Sequence, residues 1–256
     1  MTPAPSKDDP STTVAIGLLA YLSTDVAHHL LGHGVACLAL GGRINSLSSV
    51  FVDGTLTGAT IDLAGPAANL VVGLAALALV AARRPFPRSL CLFLVLVAAF
   101  NLFWFELQLV FSAATKTDDW AWPIRYYGIP NLARYGMIVL GGLGYWLTVR
   151  IIGVHLGFPS RSRAKFAVTS AWLAAGAIAC ITAAFDHHPS TAILRHAAPQ
   201  SLVLSIGLLF TPSFMPAYPA DVQVNAVERS PYWIAAAVIA SILSVLYLGP
   251  GFAISL

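Results

Sequence analysis

Charge is what this chain has least of. Only 14 Lys and Arg and 11 Asp and Glu occur in 256 residues, 10% in all, where a soluble domain carries about a quarter. Such a surface cannot be covered with normal polarity in water, so an ordinary water-facing fold is excluded. Cysteine is scarce as well. Cys37, Cys91 and Cys180 sit in apolar runs without a CxxC pair, which reads as small core residues rather than disulfides or thiolate zinc ligands. No run alternates apolar and polar residues over the roughly ten positions of a membrane β-strand. Neither a nucleic-acid-binding basic patch, a long-period repeat nor a break towards a soluble domain occurs. Residues 1–256 therefore read as one membrane-embedded domain. Met1–Thr12 is polar and too acidic for a signal-peptide n-region, and the apolar segment after it is too long for a removed h-region, so it reads as retained.

What the chain has is apolar length. Hydrophobic residues make up 57%, mean hydropathy is +0.77, and runs such as Leu70–Ala82 and Ile234–Leu248 are continuous. A spanning helix needs about 20 such residues. The expectation is an all-α polytopic membrane protein with seven spans, at 13–41, 58–82, 89–113, 132–153, 165–185, 200–218 and 232–254. Six remain open, because Pro212, Pro216 and Pro219 crowd the end of the sixth. Between the first two, Ser46–Gly58 contains Asp53-Gly54 flanked by β-branched and apolar residues, the pattern of a small β-hairpin turning at Asp-Gly. Arg83, Arg84 and Arg88 follow the second span, and Arg150, Arg161, Arg163 and Lys165 follow the fourth. By the positive-inside rule those loops are cytoplasmic. That predicts a plasma (inner) membrane protein with a cytoplasmic N-terminus and outer loops at 42–57 and 114–131. Lys116, Arg125 and Arg134 weigh the other way.

The chemistry is concentrated in the first span. Ionisable groups at membrane depth cost at least a few kcal/mol each and are functional candidates by default. Asp25, His29 and His33 recur every four residues, so at about 100° per residue they drift only about 40° per step and share a face. Two histidines at i and i+4 can address one metal ion, and Asp25 can accept the ring N–H of His29 behind it. His28 lies about 100° away on another face. With His28 and His33 as the pair, the spacing becomes i, i+5, about 140° apart on a regular helix. Only a π-bulge closes that gap, and it would place His29 directly after the first ligand. Interhelical hydrogen bonding is the plainer role for such histidines. Further polar groups in the apolar runs are Asp62, Asn69, Asn101, Glu106 and the pair Asp118/Asp119. Antiparallel neighbours bring His33, Asn69 and Asp118/Asp119 to a common depth.

The stretch Ala27-His-His-Leu-Leu-Gly-His-Gly-Val-Ala-Cys-Leu-Ala-Leu-Gly-Gly-Arg-Ile44 resembles the HExxH helix of site-2-protease-type intramembrane zinc metallopeptidases, with their Gly-Gly-Arg exit and following hairpin. Leu63-Ala-Gly-Pro-Ala-Ala-Asn-Leu70 resembles their AGPxxN motif. Leu109–Trp120 resembles the end of their third core helix, which supplies an aspartate ligand. The resemblance covers roughly residues 15–122. It implies a three-helix core over 13–122 with additional helices over 132–256, and Zn2+ held by His29, His33 and Asp119, with Asp118 as the alternative aspartate. Asp25 and Asn69 support those ligands, and a single-span membrane protein would be substrate or partner helix. The catalytic Glu of HExxH is replaced by Leu30, so an active peptidase and a catalytically impaired relative are both open. Glu106, at mid-membrane in the third span, is the candidate substitute proton carrier. The family's site lies near the cytoplasmic face, whereas charge counting places His33 and Asp119 nearer the outer face.

The reading from another class is a small proton-coupled transporter using Asp25, Asp62, Glu106 and the histidines as a polar path, though no inverted repeat accompanies it. A haem bundle would have only His155 as its axial residue on a second helix. Asp186-His-His-Pro189 and His196 read as a solvated connection, because Pro189 and Pro199 flank it. Gly141, Gly142 and Gly144 read as a stripe for close helix packing.

Overall fold

Among the described residues of the computed structural model, seven helices are long and apolar enough to cross a membrane, and the fold is all-α and polytopic. The structure describes residues 7–82, 86–217 and 226–254; Arg83, Arg84 and Pro219 lie outside them. The spans are α1 Pro10–Ala39, α2 Ala59–Ala81 and α3 Arg88–Thr115. After the short α4 Ala121–Tyr126 come α5 Asn131–His155, α6 Arg161–Ala183, α7 Pro189–Phe214 and α8 Pro231–Leu248. Large apolar side chains crowd the outside: Leu132 and Tyr232 are 82% and 85% exposed. A water-soluble monomer does not tolerate that pattern over its whole surface, whereas lipid does.

Helix α3 is the axis of the bundle. It packs against α1, α2 and α5, and every residue from Val95 to Trp104 is buried, as expected of a helix apolar all round. Small residues set the close approaches, since apolar burial drives little association within lipid. A Cβ on Gly17 of α1 would stand 2.5 Å from the Ala171 Cα of α6. The predicted glycine stripe of α5 is a packing face: a Cβ on Gly141 would meet the Glu106 carbonyl at 2.6 Å, and one on Gly144 the Glu106 carboxylate at 3.2 Å. Gly142 faces open space. Polar anchors add direction, as where Asn101 Nδ2 donates to Thr24 Oγ1 across α1 and α3 at 2.7 Å.

The start of α1 is latched to α6 and to the segment before α8. Asp9 caps α1 by accepting from Thr12 N at 2.8 Å, with Pro10 in the first turn, where its missing N–H is harmless. Beside it, Asp8 accepts from Arg163 Nε of α6 and, at 2.8 Å, from Val227 N just before α8. Ser230 N donates to Thr12 Oγ1 at 2.9 Å. Burial raises the Asp8 carboxyl, but the Arg163 guanidinium and the Val227 N–H outweigh it and hold it below its ordinary value. A carboxyl depressed on folding stabilises the fold above its unfolded pKa, and that contribution fades as pH falls through the folded value. Asp8→Asn is therefore expected to lower the thermal midpoint near pH 7, with the gap to wild type closing below about pH 3.9, the ordinary carboxyl value. Equal midpoints at pH 7 would show that the latch contributes nothing.

Among the described residues, three antiparallel strands form one small sheet in the order β2–β1–β3, with β1 Ile44–Leu47, β2 Val52–Gly54 and β3 Phe252–Ile254. The hairpin exists, but it does not turn at Asp53-Gly54. Its turn is Ser48–Phe51, closed by Ser48 N to Phe51 O at 2.9 Å and by Phe51 N to Ser48 Oγ at 3.0 Å. Asp53 and Gly54 belong to β2 and pair with Ser46 and Ile44 of β1. Gly54 is there for space, because a Cβ would lie 2.8 Å from Cys37 Sγ at the end of α1. That end is marked by Gly41 at φ +85°, a left-handed exit that favours glycine.

The sixth span also departs from expectation. It begins at Pro189 rather than near residue 200, so it contains His196. Wide π turns run over Ala192–Ala197 and Pro199–Val203, followed by 3₁₀ geometry over Ile206–Phe214. Pro189 stands in the first turn, where the missing N–H costs little. Pro199 is accommodated at the start of a π turn, its carbonyl accepting from Leu204 N at 3.0 Å.

Candidate metal centre

Helix α1 changes pitch at the histidines. Residues Ala27–Gly34 form a π-helix between two α-helical stretches. On a regular helix His28 and His33 would sit about 140° apart; the widened turn brings them onto one face. Their Nε2 atoms are 3.1 Å apart. Asp119 Oδ2, from the loop after α3, lies 3.0 Å from His28 Nε2 and 3.2 Å from His33 Nε2. Three donor atoms thus form a nearly equilateral triangle, the one such group of three among the described residues. Tetrahedral zinc with nitrogen and oxygen ligands at 2.0–2.1 Å separates neighbouring donors by about 3.3 Å. The triangle has the size of one face of that tetrahedron.

Each corner is held by something else. His33 Nδ1 lies 2.8 Å from the Ile61 carbonyl of α2; donating its N–H there leaves Nε2 with a free lone pair aimed at the centre. The His33 ring occupies the space that a Cβ on Gly65 would need, and Gly32 faces Gly65 so closely that its Cβ would stand 2.5 Å from the Gly65 Cα. The Ala64-Gly65-Pro66 motif therefore works by being bare. His28 is 2% exposed and stacks on Trp104 at 4.6 Å between centroids and 22° between planes. Gln108, one turn after Trp104, donates to Asp119 Oδ2 at 2.8 Å and to Asp118 Oδ2 at 3.2 Å. Burial raises the Asp119 carboxyl, but the imidazoles of His33 and His28 beside it more than reverse this, holding it well below the usual carboxylate range. Asp118, pushed by burial and by neighbouring Asp119, rises to about 6. Asp119 is thus the more acidic of the two, and Asp118, at φ +70°, flanks it.

His29, expected as the first ligand, takes another place. Its Nδ1 lies 3.2 Å from Asp25 Oδ1, the two residues expected to meet, though without hydrogen-bond geometry, and its ring sits edge-on to Trp104 at 5.9 Å. The residue following the first histidine of the triangle is therefore His29, and Leu30 does not line the cavity at the site. Glu106 is not brought to the triangle. It lies about 200° around α3 from Trp104, is buried, and accepts from Thr148 Oγ1 of α5 at 2.6 Å. Asn69 is fully buried on α2, with neither side-chain polar atom hydrogen-bonded among the described residues.

The triangle opens into a cavity of about 250 Å³ lined by His29, Asp62, Asp118, the hairpin tip Val50–Val52, and His196 and Gln200 of α7. Sequence reasoning missed Trp104, Gln108, His196 and Gln200. Gln108 and Gln200 carried a signal, being amides inside apolar runs. Trp104 carried none, and His196 was hidden by reading its prolines as a connection. No family model matches the chain, and no curated protein or solved structure matches it.

Proposed function

We propose that the chain is an integral membrane zinc metalloprotein that hydrolyses amide bonds within the bilayer, in the manner of the site-2-protease-type peptidases it resembles. The observation that supports this reading best is the His28–His33–Asp119 triangle, matched in size to a zinc face and open on its remaining side to a cavity inside the membrane protein. Two imidazole nitrogens and one carboxylate oxygen suit zinc, with one position free for water or substrate. Zinc in such a site supplies Lewis acidity and lowers the pKa of a bound water to about 7.

The chain's own residues would do the rest. His29 lines the cavity directly beside the triangle, and Asp25 at its Nδ1 orients the ring so that Nε2 can take a proton from water. His29 directly follows the first histidine of the triangle, as the glutamate follows it in HExxH, so this Asp–His pair would supply the base that Leu30 cannot. The hairpin tip beside the cavity and Trp104 behind His28 would limit water at the site and so strengthen the charge interactions inside. The acids of the transport reading do not share a path: Asp62 lines the cavity, while Glu106 faces Thr148 on α5.

The test is made on detergent-purified protein. One zinc per chain and cleavage of single-span membrane substrates are expected, and His29→Gln should retain the zinc while losing about 10²–10⁴-fold in turnover. Metal-free wild-type protein after zinc incubation would sink the reading. Full zinc with turnover unaffected by His29→Gln would remove the base assignment alone.

A further inference from the structure

The roof of the metal cavity does not stand by itself. Val50, Phe51 and Val52 at the hairpin tip line that cavity, yet the hairpin has strands of only four and three residues. An isolated two-stranded hairpin is marginally stable at best, and a third strand is needed to hold it. Here the third strand is β3, which pairs Phe252 with Leu47 and Ile254 with Ile44, more than 200 residues later in sequence. A further tie fixes the turn: Ser49 N donates to the Leu248 carbonyl, at the end of α8, at 3.0 Å. The hairpin is therefore held from two sides, by the π stretch of α1 that it touches and by α8 through β3.

The connection from α8 to β3 leaves little slack. Gly251 has φ +77°, a left-handed turn that favours glycine, and Ser46 Oγ occupies the place that its Cβ would need. Gly249 lies against Phe185 and the Thr182 carbonyl of α6, and the Thr182 and Ser244 hydroxyls share a hydrogen bond of 3.1 Å. This end of α8 is anchored. The rest is loosely held, since Ala237 is the one buried residue of Pro231–Leu243. Two apolar cavities of about 580 Å³ each, sharing Val14, Leu18, Ser241 and Ile242, lie between α8 and its neighbours α1 and α6. Elements with few buried apolar contacts are those that move at low cost.

We infer that β3 is a strap: through it α8 holds the hairpin tip as a closed roof over the His28–His33–Asp119 cavity, and its release opens the cavity. The strap belongs to the sheet, while its role in gating the site rests on the metal-centre reading above. Regulation follows from the connection. Anything in the bilayer that binds α8 more tightly in one state shifts the balance between strapped and released roofs.

Cys37 reports the state of the sheet without any metal. It is 1% exposed and Gly54 of β2 packs on its Sγ, so alkylation requires the hairpin to lift. The measurement is maleimide labelling of full-length protein in detergent, with each cysteine located by peptide mass. Labelling follows the population of the open state when reclosing is fast, and wild type is expected to label slowly. Gly251→Val should label Cys37 about ten-fold faster or more, the scale of backbone hydrogen bonds lost along one strand. Cys91, at the far end of α3, should label as in wild type, which shows that the bundle has folded. Leu47→Cys combined with Phe252→Cys supplies a lock, because opposed strand residues have Cα atoms about 4.5–5.5 Å apart, within reach of a disulfide. Oxidised, this variant should label Cys37 several-fold more slowly than when reduced, so that one protein is its own folding control. A Gly251→Val rate equal to that of wild type, or a lock that changes nothing, overturns the strap. Loss of bound cobalt to a chelator should follow the same order, fastest in Gly251→Val and slowest in the oxidised lock. Cobalt lost at one rate from all forms overturns the gating role and leaves the metal centre standing. Wild type that takes up no cobalt overturns the metal centre and the gating with it, while the Cys37 rates still decide whether β3 straps the hairpin.

Discussion

His28→Ala is expected to lose the bound zinc, and His29→Ala to keep it. The two residues are adjacent, equally polar and both buried, so composition and hydropathy cannot separate them. Geometry separates them. His28 Nε2 stands 3.0–3.1 Å from the other two corners of the triangle, whereas His29 Nδ1 is engaged by Asp25. Losing one of three protein ligands leaves two, too few to hold zinc against a chelator, so occupancy near one per chain should fall to background in His28→Ala, His33→Ala and Asp119→Ala alike. The measurement is metal content per chain after gel filtration with a mild chelator. The opposite pattern, with zinc lost from His29→Ala and kept in His28→Ala, would mean that α1 is a regular helix and the i, i+4 pair is the true one. The experiment thus reads the π turn directly.

The second large effect concerns glycine. Gly65→Val should lose zinc binding, and Gly32→Val should destabilise the fold as a whole. A Cβ on Gly65 would occupy the place of the His33 ring, so the imidazole must leave the triangle. The obstruction at Gly32 is backbone: its Cβ would meet the Gly65 Cα at 2.5 Å and the Ala64 carbonyl at 2.7 Å. Side chains can rotate away, but a helix must move bodily. Overpacking of a close contact costs about 1–3 kcal/mol, so a lowered thermal midpoint is expected for Gly32→Val. Gly142→Ala, whose added carbon meets open space, serves as the control and should change neither stability nor zinc content. Zinc binding that survives Gly65→Val would show that His33 does not need the ring position seen against α2.

Most of the fold was legible because its solvent imposes length. Seven apolar runs gave seven helices, and boundaries near 58–82 and 132–153 agree with Ala59–Ala81 and Asn131–His155 to within a few residues. The misreadings share a cause. Asp53-Gly54 has turn chemistry, but its glycine serves the approach of Cys37, a residue on another element. Pro189 and Pro199 break an α-helix on paper, while a π or 3₁₀ span packed against α6 and α5 accommodates them. Glu106 looked available because depth along a helix can be read from sequence, whereas its facing direction depends on which neighbour supplies Thr148.

The cluster Asp25, His28, His29 and His33 shows where the division lies. Sequence by itself determined that the chain is a polytopic helical membrane protein, that ionisable groups gather in its first span, and that antiparallel neighbours can bring His33, Asn69 and Asp118/Asp119 to a common depth. These follow from local facts: the cost of charge in lipid, the length of a span, the alternation of helix direction. Tertiary structure decided which histidines are partners. A 100° step per residue favours His29 with His33, and only the wider turn of Ala27–Gly34, with His28 stacked on Trp104 and His33 seated in the Gly65 gap, turns His28 to the centre. Helical pitch is a compromise between backbone hydrogen bonding and what the neighbours press against, and those neighbours are set by the folded bundle.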